Sequence, residues 1–144
     1  MKQCLVDVNV VVALLVPRHV HHQVAHNWFG DLISGQVGLC RLAQLAVVRL
    51  LGNPKIMGTE ALSASDGWNV VQKFLEDDRI EFLKEPPSME SFITATLDHP
   101  HNPAKLVTDG YLAAFAMSSH RKFVTFDRDF LRFRGLELEL LVRQ

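Results

Sequence analysis

Short, uninterrupted apolar runs alternate along this chain with longer segments of helical periodicity, and that alternation restricts the fold more than any single motif. The runs fall near residues 3–7, at Val37–Cys40, at Ile80–Leu83 and at residues 123–126. A fifth segment, residues 136–141, alternates Leu with Glu, as an edge strand with one wet face would. Between these runs the spacings predict helices. A short one follows the first strand, and an amphipathic one covers 19–34, with Val20, Val24, Trp28 and Leu32 four apart and Gly35 at its end. Others cover 42–51, stopped by Gly52-Asn53-Pro54, then 63–76, capped by Ser63 or Ser65, and Met89–Leu97. Residues 98–103 read as a loop holding His99, Pro100, His101 and Pro103, and the last helix covers 108–119 with Thr108 or Asp109 as its cap. Strands separated by helices, not by hairpin turns, define an α/β domain on a mostly parallel sheet.

Nothing in the chain asks for a second domain, so residues 1–144 read as one. A chain of this length buries roughly 70% of its unfolded surface and needs no covalent staples. Cys4 and Cys40 lie inside apolar runs without a C-x-x-C pair, which suits reduced core residues better than a bridge or a zinc site. The formal net charge of -1 neither advertises nucleic-acid binding nor excludes a local basic rim. Asp7 and Asn9 interrupt the first apolar stretch, so no secretory leader is visible. No apolar run approaches the ~20 residues of a membrane span, so a cytoplasmic location with no membrane partner is expected.

In open parallel sheets, ligands collect beyond the carboxyl ends of the strands. Asp7 ends the first strand, Asp127 ends the strand at 123–126, and Asp109 opens a predicted helix. Each is flanked by apolar residues. A carboxylate at the edge of a core needs a hydrogen-bond partner, a counter-charge or a cation. Carboxylates gathered in one place raise each other's pKa, and a hard divalent cation such as Mg²⁺ or Mn²⁺ relieves that repulsion. Blander roles exist for each: a turn for Asp7, a helix cap for Asp109, turn residues for Asp127 and Asp129.

Asp7-Val8-Asn9-Val10, Thr108-Asp109-Gly110-Tyr111 and Thr125-Phe126-Asp127-Arg128-Asp129 stand in this order along the chain. Together they resemble the acidic motifs of the PIN-domain family, and specifically the VapC toxins of bacterial toxin–antitoxin pairs. The stretches 22–28 and 42–54 resemble the segments between. The resemblance implies a three-layer α/β/α sandwich on a parallel sheet of about four or five strands. It implies a Mg²⁺- or Mn²⁺-dependent endoribonuclease, a cognate antitoxin and frequent homodimers. By position, Asp7, Asp109 and Asp127 are the metal-site carboxylates, and Asn9, Thr125 and Asp129 are supporting residues. The family's second acid, a Glu after the second strand, corresponds here to Gln44, which has the length of Glu but no charge. Catalysis is then weakened, or the chain is an inactive module that binds RNA or protein. Arg49, Lys105, Arg121 and Arg128 are the candidates to touch an RNA backbone.

Two other patterns are weaker. An Asp after a first strand also suits phosphatases of the haloacid-dehalogenase type, but Asn9 stands where those need a second Asp. His22 and His26 have the spacing of a zinc-binding helix face but no third ligand, so they read as surface histidines.

Overall fold

The computed structural model describes residues 2–100 and 103–142; His101, part of the predicted loop, lies outside the described residues. Its strands are β1 (Cys4–Val6), β2 (Val37–Cys40), β3 (Ile80–Leu83), β4 (Lys122–Thr125) and β5 (Leu138–Leu140). They form one sheet in the order β3-β2-β1-β4-β5, parallel at every pairing. Every residue of β1 and β2 is buried, which explains their unbroken apolar runs: both faces of a central parallel strand are covered. The edge strands β3 and β5 are only partly buried and carry the alternating glutamates.

The helices are α1 (Val8–Leu15), α2 (His22–Gly30), α3 (Arg41–Leu51), α4 (Pro54–Met57), α5 (Ala64–Phe74), α6 (Met89–Leu97) and α7 (Pro103–Ser118). The chain builds the sheet in one direction from β1 to β3, then returns past β1 to β4 and β5. Right-handed crossovers made in opposite directions place their helices on opposite faces. The packing agrees: α1 lies against α2 and α3, and α3 against α5, while α6 and α7 pack on each other and α7 on β4. The result is the expected α/β/α sandwich, with the direction of winding reversing between β1 and β4. Leu5, Val10, Val11, Leu39, Phe115 and Phe123 fill the core on the two faces. Phe130, in the single 3-10 turn after β4, closes it against Phe123 with ring centroids 4.5 Å apart. Among the described residues, no helix is long and apolar enough to cross a membrane.

Two helices depart from the sequence expectation. The helix predicted over 19–34 is only α2. Its entrance is a turn in which the His21 N–H donates to His19 Nδ1 at 3.0 Å, and His22 Nδ1 lies 2.7 Å from the Ala13 carbonyl, fastening α2 to α1. Ala25 and Phe29 are its buried positions, whereas Val20 is 58% exposed and outside the helix. Gly35 does not end that helix; with φ +68 it makes the left-handed turn into β2, its N–H donating to Asp78 O at 2.8 Å. The second correction matters more for the site. α7 begins at Pro103, five residues earlier than expected, because proline suits a first helical turn and Ala104-Lys105-Leu106 are good helix formers. Asp109 therefore does not cap a helix; it projects from the second turn of α7.

The packing of α6 on α7 sets the height of that turn. Thr96 Oγ1 donates to the Gly110 carbonyl at 2.9 Å, and a Cβ on Gly110 would stand 2.7 Å from Leu97 Cδ2. Gly110→Val is expected to wedge the two helices apart and to cost about 1–3 kcal/mol, read as a lower midpoint in urea denaturation. An unchanged midpoint would mean that the contact is not tight.

Candidate active site

The reversal of winding opens a crevice between the carboxyl ends of β1 and β4, and the first acid sits there by local necessity. Asp7 follows β1 and caps α1, its Oδ1 accepting from the Val8 N–H at 2.8 Å. Its Oδ2 accepts from Thr125 Oγ1, at the end of β4, at 2.6 Å. The same hydroxyl oxygen accepts the Asp127 N–H at 2.9 Å. Asp127 Oδ1 in turn accepts the Asp129 N–H at 2.9 Å, which turns the chain into the 3-10 segment. One hydrogen-bonded path thus runs from α1 through Asp7 and Thr125 to Asp127 and Asp129.

Asp109 approaches from α7 and is held by Arg132, whose Nη2 donates to Oδ2 at 3.2 Å. Lys105, one turn earlier on α7, donates to Asp127 Oδ2 at 2.8 Å and to Asp129 Oδ2 at 2.7 Å. Asp7, Asp109 and Asp127 share an open cleft of about 500 Å³. Val8 and Asn9 complete its floor, α7 gives one wall, and Leu42, Leu45, Ala46, Arg49 and Leu50 of α3 give the other. Asn9 Oδ1 is buried and has no hydrogen-bond partner.

The electrostatics follow from this geometry. Asp7 is 6% exposed, and burial pushes its carboxyl up to about 6, against the pull of the Thr125 and Val8 hydrogen bonds and with a further push from Asp109 and Asp127. Asp109 is also held above the usual carboxylate range, chiefly by burial, although Lys105 and Arg132 pull it down. Lys105 is held more firmly protonated by its bonds to Asp127 and Asp129. Among the described residues, no three His, Cys, Asp or Glu side chains already stand in metal-binding array, and each of the three carboxylates has a protein donor: Thr125 for Asp7, Lys105 for Asp127 and Arg132 for Asp109.

Gln44 is not part of this cleft. It is 1% exposed, and its Oε1 accepts from Arg41 Nη1 at 2.8 Å. Arg41 in turn lies over the rings of Trp68 and Phe82, so both side chains face α5 and β3. Residues two apart on a helix point about 200° from each other, and Leu42 and Ala46, on either side of Gln44, are the ones that line the cleft. Counting along the chain therefore selected the wrong face of α3, and the wall opposite Asp109 carries no carboxylate. Arg121 is displaced as well. It precedes β4, at the other end of the strands, where its Nη1 donates to Cys4 O at 3.2 Å and its side chain is 10% exposed. It has no access to the cleft. Arg49 lines the cleft and is exposed, and Arg128 is exposed beside Asp127. Arg132 was not anticipated, because nothing in its neighbourhood in the sequence signals a partner on α7. Neither Cys4 nor Cys40 is bonded; both are buried, as expected of core thiols.

An open parallel sheet sandwiched by helices, with an acidic cleft at its switch point, defines the class of protein. Residues 4–136 match the PIN domain family, and the chain belongs to that family. It is 33% identical to "Ribonuclease VapC41" of Mycobacterium tuberculosis, over 96% of this chain and 99% of that protein. Two solved structures share the fold at lower identity. The sarcin-ricin-loop-cleaving toxin VapC20 of Mycobacterium tuberculosis matches with a TM-score of 0.67 and 14% identity over 94% of this chain and 99% of its own. VapBC2 of Rickettsia felis, solved on a DNA fragment from its promoter, matches with a TM-score of 0.66 and 12% identity over 96% and 98%.

The raised carboxyl of Asp7 has a measurable consequence. An unfolded Asp titrates near pH ~3.9, whereas the folded group titrates near 6. Between those values the folded protein keeps a proton that the unfolded chain has lost. The group therefore lowers stability as pH rises from about 4 to 6, and the penalty stays constant above. Without divalent cations, Asp7→Asn is expected to gain on the native protein by on the order of 1–3 kcal/mol between pH 4 and pH 8, read by urea denaturation at both pH values. A stability difference independent of pH would show that Asp7 is not desolvated.

Proposed function

We propose that the cleft hydrolyses RNA phosphodiesters with a divalent cation, Mg²⁺ or Mn²⁺, and that the chain is the toxin of a toxin–antitoxin pair. The observation that carries this reading is the convergence of Asp7, Asp109 and Asp127 on one open cleft at the switch point of the sheet. Gathering three acids in one cleft, Asp7 and Asp109 of them buried, is unfavourable unless a positive charge joins them. The donor set suits a hard cation: carboxylate oxygens, in a cleft that Asn9, whose amide oxygen is unpartnered, also lines. Mg²⁺ binds proteins through one or two carboxylates while keeping several waters, so the cleft need not close into a cage.

Asp7, Asp109 and Asp127 would hold the cation, which when bound supplies a water of lowered pKa and charge stabilisation at the phosphate. Thr125 fixes the orientation of Asp7, and the Asp129 N–H fixes that of Asp127. Arg49, exposed on the α3 wall, offers its guanidinium to the RNA backbone, and Arg128 lies near enough to Asp127 to extend that rim. The three acids remain the functional core of the proposal; Gln44 does not limit it, because it faces away. Support for the substrate comes from the VapC41 relative, named a ribonuclease, and support for an antitoxin partner from the VapBC2 neighbour. A homodimer belongs to the same proposal. The apolar α3 wall favours one alternative, a module that binds RNA or protein without cutting.

Incubation of purified protein with structured RNA separates these readings. Cleavage is expected with Mn²⁺ or Mg²⁺, to stop with EDTA, and to fall by about a hundredfold or more in Asp7→Asn and Asp127→Asn. RNA binding without cleavage under any of these cations would favour the non-cutting module. A second measurement addresses α3. Ala46→Glu, which adds a carboxylate to the cleft wall, is expected to tighten Mn²⁺ binding in calorimetry, whereas Gln44→Glu leaves it unchanged. The reverse pattern would place Gln44 at the cation.

A further inference from the structure

Two cations of the chain itself already contact the acids of the cleft, and they differ in kind. Arg132, on Asp109, is fixed: its side chain is 20% exposed and its guanidinium lies 5.0 Å from the centre of the Phe133 ring. Lys105, on Asp127 and Asp129, is 54% exposed and rides on a flexible aliphatic stem from the first turn of α7. Exposed pairs of this kind contribute little to stability and exchange readily. Asp127 Oδ1 accepts the Asp129 N–H, and its other oxygen, Oδ2, is the one that Lys105 holds at 2.8 Å, where a cation would have to compete with the ammonium.

We propose that Lys105 is a resident counter-ion of the acidic cleft, which a divalent cation displaces from Asp127 and Asp129 when it binds. This rests on the metal-dependent reading above. The geometry accounts for two facts together: Asp127 and Asp129 are both held on one ammonium, and no three such side chains stand in metal-binding array among the described residues. An ammonium within ion-pair distance of Asp127 repels an incoming divalent cation and must give up its bonds first. Lys105 therefore acts through Asp127, as a positioning residue that sets how much free cation is needed to fill the cleft. Once displaced, it remains on the wall formed by α7, with its charge no longer committed to the two carboxylates.

Calorimetric titration of Mn²⁺ into the native protein, Lys105→Met and Lys105→Arg, without RNA, tests this. Lys105→Met is expected to bind Mn²⁺ about three- to tenfold more tightly. Lys105→Arg, which keeps the charge, is expected to stay close to the native affinity. If the native protein binds Mn²⁺ and Lys105→Met binds it equally or more weakly, the counter-ion role is overturned while the metal reading stands. If neither binds, both are overturned.

Discussion

The hydrogen bond from Thr125 to Asp7, 2.6 Å long, joins the carboxyl ends of the two strands between which the winding of the sheet reverses. It fixes a buried carboxylate where α1 must begin, and the adjoining Asp127 N–H bond fixes the direction in which the chain leaves β4. Cap, strand end and acidic site are therefore one structure. The arrangement is costly by itself, since burial holds the Asp7 carboxyl up to about 6. Such a cost at the mouth of an open cleft is better understood as a feature of function than of folding.

What offsets the cost differs from acid to acid. Asp109 has an arginine that packs on an aromatic ring, Asp127 shares an exposed lysine with Asp129, and Asp7 has only neutral donors. Asp7 is thus the acid with most to gain from a cation, and Asp127 the one whose partner gives way most easily. Asn9 lines the same floor, with its buried Oδ1 lacking a hydrogen-bond partner. The α3 wall, built from leucines and Ala46, contributes shape and Arg49 but no negative charge.

The sheet was legible because β1, β2 and β4 are covered on both faces and so wrote themselves as short apolar runs. Asp7 and Asp127 were legible for the same reason, as polar residues ending such runs. Helix boundaries were less so. Val20, Val24, Trp28 and Leu32 keep a four-residue spacing, yet the turn at His19 and His21 stops the helix from including Val20. Pro103 read as a loop residue although proline equally opens a helix, and this misplaced the start of α7 around Asp109. Gln44 failed for a different reason: on a helix, an error of two residues reverses the face, and only the contacts of Arg41 with Trp68 and Phe82 show which way it points. Arg121, Arg132 and Lys105 have partners 117, 23 and 22 residues away, and no local pattern encodes pairings over such separations.

In the proposed function, Asp7, Asp109 and Asp127 form one cation site at the switch point of the sheet. Anomalous diffraction from a crystal grown with Mn²⁺ tests it most directly. The expected result is a peak in the cleft, within ligand or water-bridged distance of Asp7, Asp109 and Asp127, with Gln44 still bonded to Arg41. A peak confined to another part of the surface, or a cleft without manganese at concentrations that support RNA cleavage, would contradict it.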